Sequence, residues 1–361
     1  MNLAVGAMND DHADPEFELM HVDALRFFPQ LVTQLGGDPG KMLRQLKIDP
    51  SSLSQRGSSL GLRAVADLLE LAATELQVPD FGMRLAVRQG GGKVFGPMGV
   101  AMKNSRTLGE ALEYVIDHIH AFSLAARMRF VADRASHRRL VGLDILLDRL
   151  PNKRQLIEQV LLLAHLNAIE ITGGQARVRE VVFRHQPLSP LRTYRDYFGC
   201  EARFDQATDG VAFSEQDLLC PIVEPDIQLY EMATSFIETK FTRVTPPMHA
   251  RVRGLILQHL GGEDCTNERV AAELCLHART LHRRLKAEGK SFEGIKDEVR
   301  RDVALRYLEQ TDLPLTRIAE KLGYAETSVL SRSCFRWFGA SPSRLRAQAQ
   351  AAGGTGRRVA S

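Results

Sequence analysis

A motif of two short helices, repeated in the C-terminal third of this 361-residue chain, constrains its fold more than any other feature. In the second copy, Ala319 and Leu322 lie on the apolar side of a short helix that ends at Gly323, and another amphipathic helix follows as far as Phe338. Equivalent residues stand 48 to 50 positions upstream, within residues 267–292. Self-similarity at one spacing is the mark of a repeated structural unit, so the chain is expected to carry two helix-turn-helix units in tandem.

The second helix of each unit has an outer face that suits DNA. In the second unit Leu330, Cys334 and Trp337 fall on one side, which leaves the opposite side rich in hydroxyl groups and arginine. A helix of this kind enters the major groove of double-stranded DNA. The candidate DNA-binding residues are Arg279, Thr280, Arg283, Arg284, Thr327, Ser328, Ser331, Arg332 and Arg336.

Position along these helices suggests which candidates read bases. Arg279, Thr280, Thr327 and Ser328 lie at the N-terminal ends, where side chains reach base edges. Cations further along are better suited to phosphates, which position a protein and make its binding depend on salt. The phosphate candidates are Arg284, Lys286, Arg336 and Arg344.

Arg283 and Arg332 occupy equivalent positions in the two units. They are interpreted as base or phosphate contacts. The alternative is that each is a surface arginine paired with a nearby carboxylate, such as Glu288 or Glu326.

A single helix is predicted to join the two units, from Phe292 to Gln310, with Ser291 as its N-cap. A rigid helix rising about 1.5 Å per residue would fix the distance between the two recognition helices. Two recognition helices held about 34 Å apart enter successive major grooves on one face of the duplex.

The stretch LTRIAEKLGYAETSVLSRSCFRWFGASPSRLR, residues 315–346, resembles the C-terminal signature of AraC-type transcription regulators. The resemblance extends over residues 248–346. It implies an all-α domain with helix-turn-helix units at 266–287 and 314–337, promoter DNA as ligand and RNA polymerase as a further partner. His277 and Ala325 stand where the family often has a serine N-cap, so each recognition helix is expected to lack a cap worth about 1 kcal/mol.

Charge is distributed unevenly along the chain, whose formal net charge is +3. Residues 248–346 hold 18 Lys and Arg against 13 Asp and Glu, whereas residues 1–247 hold 27 against 31. A basic C-terminal module on an acidic body is the balance expected of a protein that binds nucleic acid with one end.

The five cysteines are scattered and form no CxxC motif, which argues against a disulfide framework and a zinc site. The N-terminus lacks a basic-then-apolar signal, and no apolar run approaches the roughly 20 residues of a membrane span. We therefore expect a cytoplasmic protein without a metal or cofactor.

Residues 21–224 are predicted to form an α+β domain. Its main elements are helices over 62–76, 107–122 and 153–171, a hairpin of strands at 124–132 and 140–147, and strand pieces at 178–184, 202–204 and 210–213. The layout is similar to the arabinose-binding-like regulatory domain of the ornithine-utilisation and quorum-linked virulence branch of the AraC family. This resemblance implies a domain that senses a small molecule or makes a homodimer, and the ligand residues are unknown.

The remaining segments are assigned by composition. Residues 1–20 and 347–361 are expected to be disordered, and residues 225–247 to form a linker helix and loop. The glycine-rich stretch RQGGGKVFGPMG is interpreted as a flexible surface connection, because Val94 stands where a phosphate-binding loop has Ser or Thr after its lysine.

The N-terminal part of the chain offers histidine, arginine and aromatic side chains as candidates for other sites. His118 and His120 are two positions apart on a helix and face different directions, so they do not readily share a metal. Five residues are noted as possible pocket-lining side chains, with ordinary core and surface roles as the alternative: Phe122, Arg127, Arg129, Tyr194 and Tyr197. No grouping typical of a catalytic triad or a carboxylate pair stands out.

The sequence therefore predicts a ligand-responsive DNA-binding transcription regulator that acts as an activator and is not an enzyme. The activating role is implied by the family resemblance alone. Two alternatives stay open: the N-terminal domain is a protein-interaction or dimerisation module without a ligand, or the chain is an enzyme with an appended DNA-binding module.

Overall fold

A computed structural model describes residues 17–53, 57–131, 138–148, 150, 152–241, 246–262 and 265–353. Residues 17–241 form an N-terminal α+β domain, and residues 246–353 form an all-α C-terminal domain. Within the described ranges, no helix is long and apolar enough to span a membrane.

The N-terminal domain contains one five-stranded sheet and a separate two-stranded one. The strands are β1 (Leu19–His21), β2 (Ser59–Gly61), β3 (Ala126–Val131), β4 (Arg138–Ile145), β5 (Glu180–Val182), β6 (Glu201–Arg203) and β7 (Asp209–Ser214). The large sheet has the order β3-β4-β7-β5-β6, and every pair is antiparallel except β5 with β6. The predicted hairpin of β3 and β4 is confirmed, while most of its turn, residues 132–137, lies outside the described residues.

Ten helices of the described chain surround this sheet. They are α1 (Phe28–Gln34), α2 (Pro39–Gln45), α3 (Leu62–Glu75), α4 (Phe81–Gln89), α5 (Pro97–Lys103), α6 (Leu108–His118), α7 (Arg154–Ile171), α8 (Leu191–Phe198), α9 (Glu215–Leu218) and α10 (Ile227–Lys240). Helix α7 is buried on most sides, as its apolar sequence predicts, and packs against α3 and α4. Gly82 permits the contact with α4, because a Cβ there would lie 2.1 Å from the backbone oxygen of Gln155.

The C-terminal domain consists of α11 (Met248–His259), α12 (Asn267–Glu273), α13 (Ala278–Ala287), α14 (Phe292–Gln310), α15 (Leu315–Lys321), α16 (Thr327–Phe338) and α17 (Pro342–Gly353). Helix α14 has the predicted bounds, and the Ser291 hydroxyl accepts a hydrogen bond from the Gly294 amide as its N-cap. The tandem helix-turn-helix arrangement is therefore confirmed.

Three sequence-based expectations for the chain's less regular segments are wrong. Order begins before residue 21, because Leu19–His21 pairs with Ser59–Gly61. Order also continues past residue 347, because α17 extends to Gly353. The glycine-rich stretch is no loose surface loop: Gly92 is buried, and a Cβ on it would lie 2.3 Å from the side-chain oxygen of Asn167 on α7. The remaining parts of both predicted disordered ends, residues 1–16 and 354–361, lie outside the described residues.

A buried carboxylate on β4 connects the sheet with the C-terminal domain. Asp144 is fully buried and accepts hydrogen bonds from Arg127 (2.8 Å), Arg129 (3.1 Å) and Arg184 (2.9 Å). Burial alone would raise the pKa of Asp144, but the three guanidinium groups outweigh it and hold the pKa well below its usual range. The Arg127 guanidinium also donates to the backbone oxygen of Gly254 on α11, at 2.8 Å, and so reaches across to the other domain.

Replacing Asp144 with Asn should lower the free energy of unfolding by about 3 kcal/mol or more, because three cations would lose their buried counter-charge. Urea denaturation followed by circular dichroism measures the effect. Asp117→Asn, at an exposed position on α6, is the control and should change stability by less than about 0.5 kcal/mol. A loss below about 1 kcal/mol for Asp144→Asn would show that the arginines do not depend on this carboxylate.

Candidate nucleic-acid interface

The two helix-turn-helix units have separate apolar cores at opposite ends of α14. The first core contains Val270, Leu281 and Leu285, and the second contains Ile318 and Leu330. Cys334, which is also buried, fills a position in the second core on the inner side of α16. Because α14 has 19 residues, it is about 28 Å long and separates the two recognition helices, α13 and α16.

The start of the first recognition helix is capped, contrary to expectation. His277 is its N-cap residue, and the Nδ1 atom of this histidine accepts a hydrogen bond from the Arg279 amide at 3.3 Å. The imidazole of His277 therefore serves as the hydrogen-bond acceptor at the N-cap, where the family often has a serine hydroxyl. The second recognition helix has Glu326, and not Ala325, as its N-cap residue, and no side chain caps it in the described structure.

Contacts with α14 fix the position of the second unit. The Arg300 guanidinium donates to the backbone oxygens of Leu322 (2.9 Å) and Gly323 (3.2 Å), in the turn between α15 and α16, and lies 4.5 Å from the ring centre of Tyr324. These bonds satisfy carbonyl groups that the end of α15 leaves without helical partners. The turn, and the start of α16 that follows it, are thereby held against the connecting helix.

Asp297 of α14 holds the other end of α16. Its carboxylate accepts hydrogen bonds from Trp337 Nε1 at 2.9 Å and from the Arg336 guanidinium. Arg336, a predicted phosphate contact, is therefore engaged within the protein, although its side chain stays largely exposed. Sequence reasoning missed Asp297 and Arg300, because their partners are 20 to 40 residues away and no local pattern signals such pairs.

The four other arginines predicted on the recognition helices α13 and α16 are presented to solvent. Arg279, Arg283, Arg284 and Arg332 are exposed, and none of them forms an ion pair within the described part of the chain. The neighbouring carboxylates have other partners: Glu288 accepts from the amides of Met248 (2.7 Å) and His249 (2.8 Å), and Glu326 accepts from the Ser328 hydroxyl (2.8 Å). The alternative interpretation, in which Arg283 and Arg332 pair with Glu288 or Glu326, therefore does not hold in the described structure.

The hydroxyl residues among the candidates are placed less uniformly. Ser328 is exposed, whereas Thr280, Thr327 and Ser331 are half-buried. Phe335 lies seven residues after Ser328, hence on the same side of α16, and 67% of its surface is exposed. An exposed aromatic ring on this face is suited to contact a thymine methyl group. The signal was available in the sequence, because Phe335 falls outside the apolar stripe of its helix.

The five residues noted as possible pocket-lining side chains in the N-terminal domain do not line one common pocket. Arg127 and Arg129 meet at Asp144, while the Tyr197 hydroxyl donates to Asp80 at 2.9 Å. Phe122 lines an apolar cavity of about 50 Å³ in the core.

Tyr194 and His118, in separate parts of that domain, each have partners of their own. The buried Tyr194 hydroxyl donates to Glu158, and burial raises the pKa of Glu158 to about 8. The His118 ring stacks on Tyr114, with 4.1 Å between ring centres, and its Nδ1 atom is hydrogen-bonded to the Tyr114 backbone oxygen. The His120 ring centre lies 5.9 Å from that of His118, but the described residues contain no group of ligands that could hold a metal ion.

Comparison with known proteins identifies the family. Residues 36–222 match the arabinose-binding domain of AraC transcription regulators, at the N-terminus of those proteins, and residues 270–348 match a helix-turn-helix domain. The chain belongs to the AraC family of transcription regulators. It is 35% identical to the HTH-type transcriptional regulator VirS of Mycobacterium tuberculosis, over 89% of this chain and 94% of that one.

Two further similarities cover most of the chain. The ornithine utilization regulator of Pseudomonas aeruginosa is 26% identical over 91% of this chain and 96% of its own length. The crystal structure of the transcriptional regulator CdpR from Pseudomonas aeruginosa is 22% identical, with a TM-score of 0.43, and the match covers 86% of this chain and 96% of that one.

Within this AraC-family domain, Arg332→Ala should weaken binding to a specific DNA site by about 1–3 kcal/mol if the guanidinium reads a base. Fluorescence anisotropy on a site selected from random duplexes by the wild-type protein measures the loss, and a scrambled duplex measures the non-specific part. Arg195→Ala, at an exposed position in the N-terminal domain, is the control. An equal loss on both duplexes, with a shallower salt dependence, would make Arg332 a phosphate contact instead.

Proposed function

We propose that this protein is a cytoplasmic, sequence-specific transcription activator that binds promoter DNA through its two recognition helices and responds to a small-molecule effector through its N-terminal domain. The observation that carries the proposal is the exposed, ion-pair-free state of Arg279, Arg283, Arg284 and Arg332 among the described residues, on two helices held by one connecting helix. Guanidinium groups kept available in this way suit bidentate contacts with bases or phosphates. RNA polymerase is the partner that activation requires, and no catalytic step is assigned to the chain.

The roles of the candidate residues follow from their position and exposure. Arg279 and Ser328 lie near the N-terminal ends of α13 and α16, where base edges are reached, and Arg332 lies one turn further along α16. Thr280, Thr327 and Ser331 are half-buried and are suited to short contacts at the groove wall. Arg284 is assigned to phosphates, and Arg336 joins it when DNA competes with Asp297 for its guanidinium.

Selection of duplexes from a random library, followed by anisotropy across a range of salt concentrations, tests the DNA-binding part. A specific site should bind at least about a thousandfold more tightly than a scrambled duplex at physiological salt. The selected site should contain two short elements about one helical turn apart, because both recognition helices belong to one chain. Equal and steeply salt-dependent binding to every duplex would contradict sequence-specific recognition by the protein as purified.

A second function of the N-terminal domain, self-association without a ligand, is favoured by one observation. Helix α10 exposes large apolar side chains on one face: Met232 is 69% exposed, Phe236 49% and Leu229 45%. Apolar side chains gathered on one exposed helix are typical of an interaction surface. A second copy of the chain, docking through the same helix, would cover them in a symmetric dimer.

Met232→Glu should convert a dimer into a monomer, because it places a charge in the centre of the apolar face. Sedimentation velocity on the full-length protein measures the mass, and Gln228→Glu, an exposed polar position on α10, is the control. A wild-type chain that sediments as a monomer at tens of micromolar would contradict this dimer.

Thermal shift against a metabolite library separates ligand sensing from self-association without a ligand, since a ligand that binds only the folded state raises the melting temperature.

A further inference from the structure

A cavity of about 760 Å³ lies between the N-terminal and C-terminal domains. It falls within the size range of small-molecule sites, whereas the apolar cavity in the N-terminal core has about 50 Å³. Cations from both domains line it: Lys153, Arg154, Arg184, Arg253, Arg301 and Arg306. The carboxylates in its lining are Asp209, Asp302 and Glu309. Outside the lining, Asp144 pairs with Arg184 at 2.9 Å and Glu70 pairs with Arg154 at 3.5 Å.

Several of these cations are incompletely paired. Arg253 is 6% exposed, and although it donates to Asp302 through one nitrogen, its Nε and Nη1 atoms have no hydrogen-bond partner among the described residues. The buried Nε of Arg306 likewise has none. The half-buried Lys153 forms no ion pair or hydrogen bond within the described chain. Buried donors left in this state cost free energy unless a further group accepts from them.

Mutual repulsion adds to that cost. Burial and then the charge of Arg184, with smaller contributions from Arg253 and Arg306, lower the pKa of Lys153 to about 8 against the opposing charge of Asp209. Burial also lowers the pKa of Arg306, and the charge of Arg184 contributes. Lys153, Arg253 and Arg306 therefore converge from two domains at a place where the carboxylates of the protein leave them incompletely paired.

We infer that this interdomain cavity binds a small organic anion, a carboxylate or a phosphate ester with an apolar part, and that the bound anion joins the two domains. The inference rests on the proposed function, since it supplies a site for the effector. Lys153 of the N-terminal domain and Arg253 and Arg306 of the C-terminal domain hold the charged group. An anion is bound best when the cations of both domains surround it, so occupancy favours one arrangement of the domains over others.

The apolar part of the ligand lies along Leu147, Ile157 and Leu257, which also line the cavity. Trp337 and Phe338, the last residues of the recognition helix α16, line it as well. The Trp337 indole also donates a hydrogen bond to Asp297 of α14. A ligand beside these rings therefore contacts the end of a DNA-reading helix, which gives a direct route from occupancy to DNA binding.

Thermal unfolding of the full-length protein with four probe anions tests the site. The probes are acetate, benzoate, inorganic phosphate and phenyl phosphate, each at 10 mM and at constant ionic strength adjusted with chloride. We expect benzoate, phenyl phosphate or both to raise the melting temperature of the wild type by about 3 °C or more, and the phenyl-free anions to raise it less. A rise with only one of the two phenyl compounds identifies the charged group that the site prefers.

Lys153→Met is the decisive variant, with the exposed Lys93→Met as its matched control. Lys153→Met should abolish the anion-dependent rise while leaving the melting temperature without anion unchanged or higher, because it removes a half-buried charge that has no ion-pair partner among the described residues. Lys93→Met should respond to anions like the wild type. Arg306→Met provides a second test of the same site from the other domain and should also lose the response.

Two results would overturn the inference: no rise with any of the four anions, or the same rise in wild type and Lys153→Met. A lower anion-free melting temperature for Lys153→Met would contradict the argument from repulsion. DNA binding is measured in parallel on a selected site. If the wild type binds its DNA site specifically but does not respond to anions, only the cavity site is refuted. If the wild type shows no specific DNA binding, the proposed function is refuted.

Discussion

The buried carboxylate of Asp144 is the interaction on which the arrangement of this protein depends. A lone charge in such a position would cost several kcal/mol, and three arginines close the site around it. Each arginine has a different place in the fold. Arg127 and Arg129 extend from the edge strand β3, whereas Arg184 follows β5 and also donates to the backbone oxygen of Ala207. One side chain thus joins strands that are separated in the sheet order.

Two of the arginines bound to Asp144 also take part in contacts between the domains. Arg127 bonds the Gly254 carbonyl of α11, where a side chain in place of glycine would collide with the guanidinium, since a Cβ would lie 2.8 Å from its central carbon. Arg184 lines the interdomain cavity beside Lys153 and Arg253. By contrast, the second helix-turn-helix unit is held to α14 through Arg300 and Asp297. The C-terminal domain is therefore a unit in itself, and its contact with the N-terminal domain consists in part of charged groups that a ligand is able to influence.

Elements set by local sequence pattern were predicted well, and elements set by distant contacts were not. Helix α14 and the strands β3 and β4 follow from caps, glycines and apolar periodicity within a few residues. Phe27, which has a φ of 67°, precedes α1, whose second residue is Pro29. Asp144, Asp297 and the interdomain cavity each bring together residues that are far apart in the chain. The periodicity of apolar residues does not predict such long-range contacts. The exposure of the arginines on α13 and α16, by contrast, was predictable because it depends only on the face of a helix.

Thermodynamic linkage sets what an interdomain anion site can do. A ligand shifts the equilibrium between two domain arrangements only by the ratio of its affinities for them. Cations contributed by one domain alone would bind an anion equally well in any arrangement and would transmit nothing to DNA. Here the charged lining is divided between the domains, so the affinity ratio depends directly on how closely Lys153 approaches Arg253 and Arg306. Coupling of this kind is reciprocal. If DNA favours the arrangement in which the cations of both domains surround the anion, DNA tightens anion binding by the same factor by which the anion tightens DNA binding.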